Sequence, residues 1–352
     1  MSRKSPLRLV DLPPPPPGKT GWPWTEESPA LPEGLADGSA WPRISIVTAS
    51  LNPGAFLEHA LRSVLLQNYP NLEYIVMDGG STDESAAILR RYEPFLDFLV
   101  RDRDGGQVEA LNHGLGRATG SILAFLDADD FYLPGAFAAV ARAFHEAPPA
   151  DFIYGGCAIV DQAGRELIAH RAEISSLAEI LDFENVWRAN REFIQPETFW
   201  RRSLFEKTGP LNPKIRTSFC YEFWSRALMA GAVFRRLDPV LACFRLHPGQ
   251  KSHREIDRAE EEYYAMAGPW LWDRSVPLSA PDRRRLQGEW LYHTKYIPAF
   301  LAAAKRGEPA WRRWPRTAWL CARYPQIVAS QAFRPHLQKL ARILRFSKNP
   351  SP

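Results

Sequence analysis

Short apolar runs and amphipathic stretches alternate from residue 44 to residue 130. Residues 44–49, 72–77 and 95–100 are rich in β-branched and aromatic side chains and are bounded by turn formers, so each is expected to be a strand. Between them, 56–67 carries Leu57, Ala60, Leu61, Val64 and Leu65 at helical spacing, and 83–92 and 108–118 are expected to be helices. Residues 122–126, Ile-Leu-Ala-Phe-Leu, suit a buried central strand and run straight into Asp127-Ala128-Asp129-Asp130. Strand and helix alternating at this spacing predict an α/β fold built on a doubly wound, mostly parallel sheet.

The strand ends carry the candidate chemistry. After the first strand comes Ser50-Leu51-Asn52-Pro53-Gly54, after the second Asp78-Gly79-Gly80-Ser81, and after the third Asp104-Gly105-Gly106. In a parallel sheet these tips share one edge, so Asp78, Asp104 and Asp127 are expected to line one crevice. Asp127, Asp129 and Asp130 crowd carboxylates that repel one another unless a cation sits among them. Hard oxygen donors favour Mg²⁺ or Mn²⁺ over zinc, and an ion so held commonly carries a diphosphate. No G-x-G-x-x-G follows the first strand and no G-x-x-x-x-G-K-[ST] occurs, which disfavours a dinucleotide dehydrogenase or P-loop enzyme.

Composition adds boundaries. A chain of 352 residues suits one large or two ordinary domains, and a net charge of +4 gives no reason to expect nucleic acid. Cys157, Cys220, Cys243 and Cys321 form no C-x-x-C pair, as expected of free thiols in a reducing compartment. With no apolar signal core and no membrane-length apolar run, the expected location is the cytoplasm. Residues 1–41 are proline-rich, with five consecutive prolines from Pro13 to Pro17, and are expected to form an extended arm whose Trp22, Trp24 and Trp41 lie on the domain surface. Residues 255–352 are expected to be a basic, aromatic-rich helical region, with helices over 254–266 and 281–305. The amphipathic stretch 337–346 suggests peripheral contact with an anionic membrane on its inner face. No RNA-binding motif accompanies this charge.

Four segments in order carry a family resemblance: Ile44-Ser45-Ile46-Val47-Thr48-Ala49-Ser50-Leu51-Asn52, Asp78-Gly79-Gly80-Ser81-Thr82-Asp83, Asp104-Gly105-Gly106-Gln107 with Asn112, and Leu126-Asp127-Ala128-Asp129-Asp130. Together they resemble glycosyltransferase family 2 across residues 43–252, with 42–254 as the GT-A domain. The resemblance implies a nucleoside-diphosphate sugar donor (UDP, GDP or dTDP), Mn²⁺ or Mg²⁺, inversion at the anomeric carbon, and a glycan or lipid-linked acceptor. It places Thr48, Asn52 and Asp78 around the nucleotide, Asp104 and Gln107 nearby, Asp127 toward ribose or sugar, and Asp129 on the metal with Asp130 behind it. Asn112 would hold its helix against the sheet, and Glu197 and Thr198 would contact acceptor hydroxyls. Residues 241–252 resemble the segment that closes over pyrophosphate, which makes His247 a metal ligand and Arg245 and Lys251 phosphate partners. Where the family commonly has its catalytic aspartate this chain has Cys220, and Glu222 becomes the expected base. Two other readings stay open: a nucleotide-sugar-binding homologue without catalysis, and a nucleotidyltransferase, against which Ser50–Gly54 offers no Lys or Arg.

Overall fold

A computed structural model describes residues 6–102, 105–146, 150–306 and 310–335. In chain order the elements are β1 (Ile44–Ser50), α1 (Phe56–Leu65), β2 (Leu72–Asp78), α2 (Ser85–Tyr92), β3 (Phe98–Arg101), α3 (Gln107–Arg117), β4 (Ile122–Phe125), β5 (Phe131–Tyr132) and α4 (Ala136–Glu146). They continue with β6 (Phe152–Val160), β7 (Glu166–Arg171), α5 (Leu177–Ile180), β8 (Thr198–Arg201), α6 (Arg202–Thr208), α7 (Phe219–Met229), β9 (Phe234–Arg245) and α8 (Lys251–Arg254). Helices α9 (Ile256–Trp272), α10 (Ala280–Leu291), α11 (Ile297–Lys305), α12 (Ala310–Arg323) and α13 (Gln326–Ala329) follow. The described residues fall into two compact units, one drawn from 1–175 and 190–259, the other from 176–189 and 260 onward.

The first unit holds one sheet in the order β3-β2-β1-β4-β8-β6-β9-β5, with β7 paired to β6. Strands β3, β2, β1 and β4 are parallel, as the alternating pattern predicts. Beyond β4 the expectation of a mostly parallel sheet fails. Strand β8 runs antiparallel to both β4 and β6, β5 antiparallel to β9, and β7 antiparallel to β6, while β6 and β9 are parallel. The sheet is therefore mixed. For β6 and β7 the reason lies in connection length: five residues separate them, too few for a parallel crossover.

Both faces of the parallel half are covered. Ile44, Ile46 and Val76 pack with Leu57, Leu61 and Val64 of α1 in the main core. On the opposite face α3 lies so close that a Cβ on Gly114 would stand 2.4 Å from Val47 Cγ1. Asn112 does not tie α3 to the sheet. Its side-chain amide donates to Leu211 O at 2.8 Å and accepts from Leu211 N at 2.9 Å, fixing the segment after α6.

The proline-rich segment is not a loose arm. Leu12, Trp24, Leu35 and Trp41 are buried, and the Trp22 indole donates to Tyr132 O at 2.8 Å. Arg62, fully buried in α1, donates to Pro13 O, Pro23 O and Trp24 O and to the Tyr92 hydroxyl at 2.8–3.0 Å. A proline-rich stretch offers carbonyls that no ladder satisfies, and a buried guanidinium supplies donors for them.

The second unit is helical. Helix α10 passes through a π turn (Tyr292–Tyr296) into α11, and Leu291, Tyr292, Tyr296, Ile327 and Phe333 form its core. Residues 337–346, expected to be amphipathic, lie outside the described residues. No helix among the described residues is long and apolar enough to cross a membrane.

Candidate functional site

The C-terminal ends of β1 and β2 are tied by side chains. Asn52 takes a left-handed φ of 52°. Its side-chain oxygen accepts from the backbone N–H of Thr82 at 2.8 Å, and its own N–H donates to Ser81 Oγ at 2.9 Å. Asp78 accepts from Ser81 Oγ and Ser81 N at 2.5 and 3.1 Å, with Arg101 at 3.8 Å. Ser81 and Thr82 thus brace the turn and do not cap α2. The Asp83 carboxylate serves that end, accepting from Ser85 N at 3.0 Å.

The acidic cluster follows β4 directly. Asp127, Asp129 and Asp130 each offer a carboxylate oxygen, and these atoms lie within 4.8 Å of one another. Each acid has a different neighbour. Gln107 Nε2 donates to Asp127 at 2.7 Å, and Lys251 Nζ donates to Gln107 Oε1 at 2.7 Å, so α3 and α8 are linked through the amide. His247 Nε2 stands 2.9 Å from Asp129 Oδ2. Asp130 accepts from the backbone N–H of Arg245 at 2.8 Å.

Burial and the Asp129 charge push Asp127 up to about 7, and burial with both neighbouring acids pushes Asp130 up as well. Buried carboxylates that raise one another's proton affinity in this way are the arrangement a divalent cation relieves. The donor set of three carboxylates and one imidazole suits Mn²⁺ or Mg²⁺. Asp127, Asp129 and Asp130 form the candidate metal-binding group, and His247 stands beside Asp129.

Several expected site residues lie elsewhere. Arg245 is not free for a phosphate: it is 2% exposed, and its guanidinium donates to Asp129 O at 2.8 Å, to Gln162 O at 2.8 Å and to His59 Nδ1 at 3.1 Å. Thr48 is fully buried on the α1 face of β1, bonded to the Tyr74 hydroxyl at 3.0 Å, and forms core instead of pocket. Glu222 is 5% exposed and gripped by Arg226 through two bonds of 2.7 and 2.9 Å. The same guanidinium holds Thr208 O and Pro210 O, so Glu222 completes a clamp between α7 and the end of α6. At the thiol two residues earlier, burial and the Asp127 charge push Cys220 up, opposed by Lys251. Glu197 and Thr198 are fully buried and bonded to Ile194 N and Gln195 O, so they build the segment before β8 and do not reach outward. Asp104 lies outside the described residues.

Two residues of α1 went unnoticed in the sequence. Phe56 packs its ring 4.9 Å from His247 and 4.9 Å from the Arg245 guanidinium. His59 stacks on Phe131 at 3.9 Å and accepts from Arg245. Both sit on the turn side of an ordinary amphipathic helix, where spacing alone gives no signal.

Residues 45–209 match the family model described as glycosyl transferase family 2. A PGL/p-HBAD biosynthesis glycosyltransferase of Mycobacterium tuberculosis is 30% identical over 223 residues, covering 62% of this chain and 82% of that protein. An uncharacterized glycosyltransferase of Nostoc is 28% identical, covering 64% of this chain and 72% of its own length. Among solved structures, a Pyrobaculum calidifontis mannosyltransferase in complex with GDP-Man and Mn²⁺ superposes with a TM-score of 0.54 at 20% identity, covering 91% of this chain and 89% of that one. Residues 1–349 of Staphylococcus aureus TarS in complex with UDP-GlcNAc give a TM-score of 0.56 at 17% identity, over 73% and 75% of the two chains. These likenesses agree with a broadly GT-A-like α/β fold carrying a C-terminal helical extension. The matched motifs, the Mycobacterium relative and the acidic cluster after β4 converge: the chain belongs to glycosyl transferase family 2 and is a glycosyltransferase.

Proposed function

We propose that this chain transfers a sugar from a nucleoside-diphosphate sugar to a hydroxyl of a glycan or lipid-linked acceptor, with inversion at the anomeric carbon. The observation that carries the proposal is the set formed by Asp127, Asp129 and His247 beside the Asn52–Ser81–Asp78 turn. Asp129 and His247 would hold a divalent cation, which when bound supplies charge neutralisation for the departing diphosphate. Gln107 orients Asp127 and fixes Lys251, whose ammonium then stands ready for phosphate oxygen. The turn at Asp78 would receive the nucleoside, with Asn52 keeping its backbone in place.

Donor hydrolysis or transfer measured with GDP-mannose and UDP-GlcNAc, with and without Mn²⁺, tests the proposal. The anomeric configuration of the product, read by NMR, tests inversion. Metal-dependent release of a nucleoside diphosphate with an inverted product is expected. A donor that binds without ever being consumed would favour the homologue that binds and does not catalyse, in keeping with a thiol at Cys220.

A further inference from the structure

Beside Arg245, the first unit encloses a half-open cavity of about 510 Å³ whose lining includes none of Asp127, Asp129 and Asp130. That volume falls within the range of small-molecule sites. Its walls come from the proline-rich segment, the start of α1, β5, the β6–β7 turn and the end of β9. The family match begins at residue 45, so the wall supplied by residues 18–24 is a feature of this chain outside the matched region.

The lining has two characters. Trp22, Trp24, Phe56 and Phe131 give aromatic surface, while Lys19, Gln162 and Glu166 bring an ammonium, an amide and a carboxylate to the same space. His59 also lines it. A guanidinium only donates, so His59 Nδ1, facing Arg245 Nη2, is an acceptor and the ring proton resides on Nε2. That N–H has no acceptor among the described residues and no accessible surface, so it is closed off from the cavity.

We infer that this cavity binds a neutral pyranose ring, as a second saccharide subsite apart from the acidic cluster. A pyranose presents apolar C–H faces to aromatic walls and a rim of hydroxyls that both donate and accept. It therefore satisfies the Gln162 amide and the Glu166 carboxylate together. An alkyl chain would leave those groups without partners, at a desolvation cost. An inorganic anion would meet Glu166 as well as Lys19, with the Arg245 charge already met by Asp130 and Asp129. Lys19 and Glu166 carry opposite charges, and the remaining positive charge of Arg245 is met by Asp130 and Asp129, which suits an uncharged ring.

The inference rests on the cavity and not on the transfer chemistry, so the two can fail separately. Saturation-transfer NMR on the full chain, with methyl α-D-mannopyranoside, methyl β-D-glucopyranoside and methyl α-L-rhamnopyranoside as probes, tests it. Inorganic phosphate and hexanoate serve as contrasting probes. At least one pyranoside is expected to receive saturation at its ring C–H protons, with a Kd of roughly 1–10 mM. The double variant Gln162→Ala/Glu166→Ala changes exposed residues. It is expected to weaken that binding at least about tenfold while its thermal midpoint and its Mn²⁺-dependent stabilisation by donor stay as in the wild-type chain. Trp22→Phe, which keeps a ring, is expected to weaken it less. Absence of pyranoside binding, binding untouched by the double variant, or capture of phosphate or hexanoate in its place would each overturn the inference. Pyranoside binding that survives in a chain indifferent to every nucleotide sugar would overturn the donor reading and leave this one standing.

Discussion

Replacing Arg62 by Ala should release the proline-rich segment. The side chain is fully buried and gives four bonds of 2.8–3.0 Å, three of them to carbonyls of residues 13, 23 and 24. Each bond from a charged donor contributes about 1.5–3 kcal/mol when measured by deletion, and losing one member of a buried charged network costs about 3–5 kcal/mol. The bonds share one side chain and do not add, so we take about 4 kcal/mol for opening this segment. At about 1.4 kcal/mol per decade, the open population should rise by about three orders of magnitude. Native-state hydrogen exchange reads this locally. The amides of Trp24, Thr25 and Ser28, which donate to Gly21 O, Gly21 O and Leu66 O, should lose about that much protection, while amides of β1 and β2 keep theirs. Arg62→Lys, which retains charge without the fork, should fall in between. A change of less than about tenfold at Ser28 would show that Arg62 does not hold the segment.

Two further outcomes follow from groups outside the acidic cluster. Glu222→Gln should lower stability by about 1–3 kcal/mol, because it breaks the fork with Arg226, and should leave donor affinity unchanged; loss of turnover at unchanged stability would restore Glu222 as the base. Burial pushes Glu192 up to about 7 from 4.5, so the folded chain holds this proton more tightly than the unfolded one. Its contribution to stability is then complete below pH 4.5 and declines as pH rises toward 7. A thermal midpoint followed across that range should fall less steeply in Glu192→Gln, and identical slopes would contradict the assignment.

The parallel half of the sheet was legible because buried strands and amphipathic helices leave separate periodicities, and because acids and glycines punctuate each strand end. The antiparallel half was not, since β5 and β8 are two and four residues long and take their direction from the edges that β4 and β9 leave open. Asp127, Asp129, His247, Gln107 and Lys251 come together at the end of β4. Arg245 and Thr48 were misplaced because a strand's alternation decides which residue faces the core, and that phase was not followed to the strand ends. Glu222 was misplaced for a related reason: two residues along a helix turn a side chain to another face, where Arg226 waits one turn on. The segment before β1 looked like a linker because proline runs rarely pack, and its anchor, Arg62, sits in a distant helix.

The account turns on a cation held by carboxylates beside β4. Binding of nucleotide-sugar donors to the wild-type chain and to Asp129→Ala, followed by thermal shift with and without Mn²⁺, measures this most directly. Stabilisation of the wild-type chain by one donor only when Mn²⁺ is present, and its loss in Asp129→Ala, is the predicted result. Donor binding of equal strength without metal, or retained in Asp129→Ala, would contradict it.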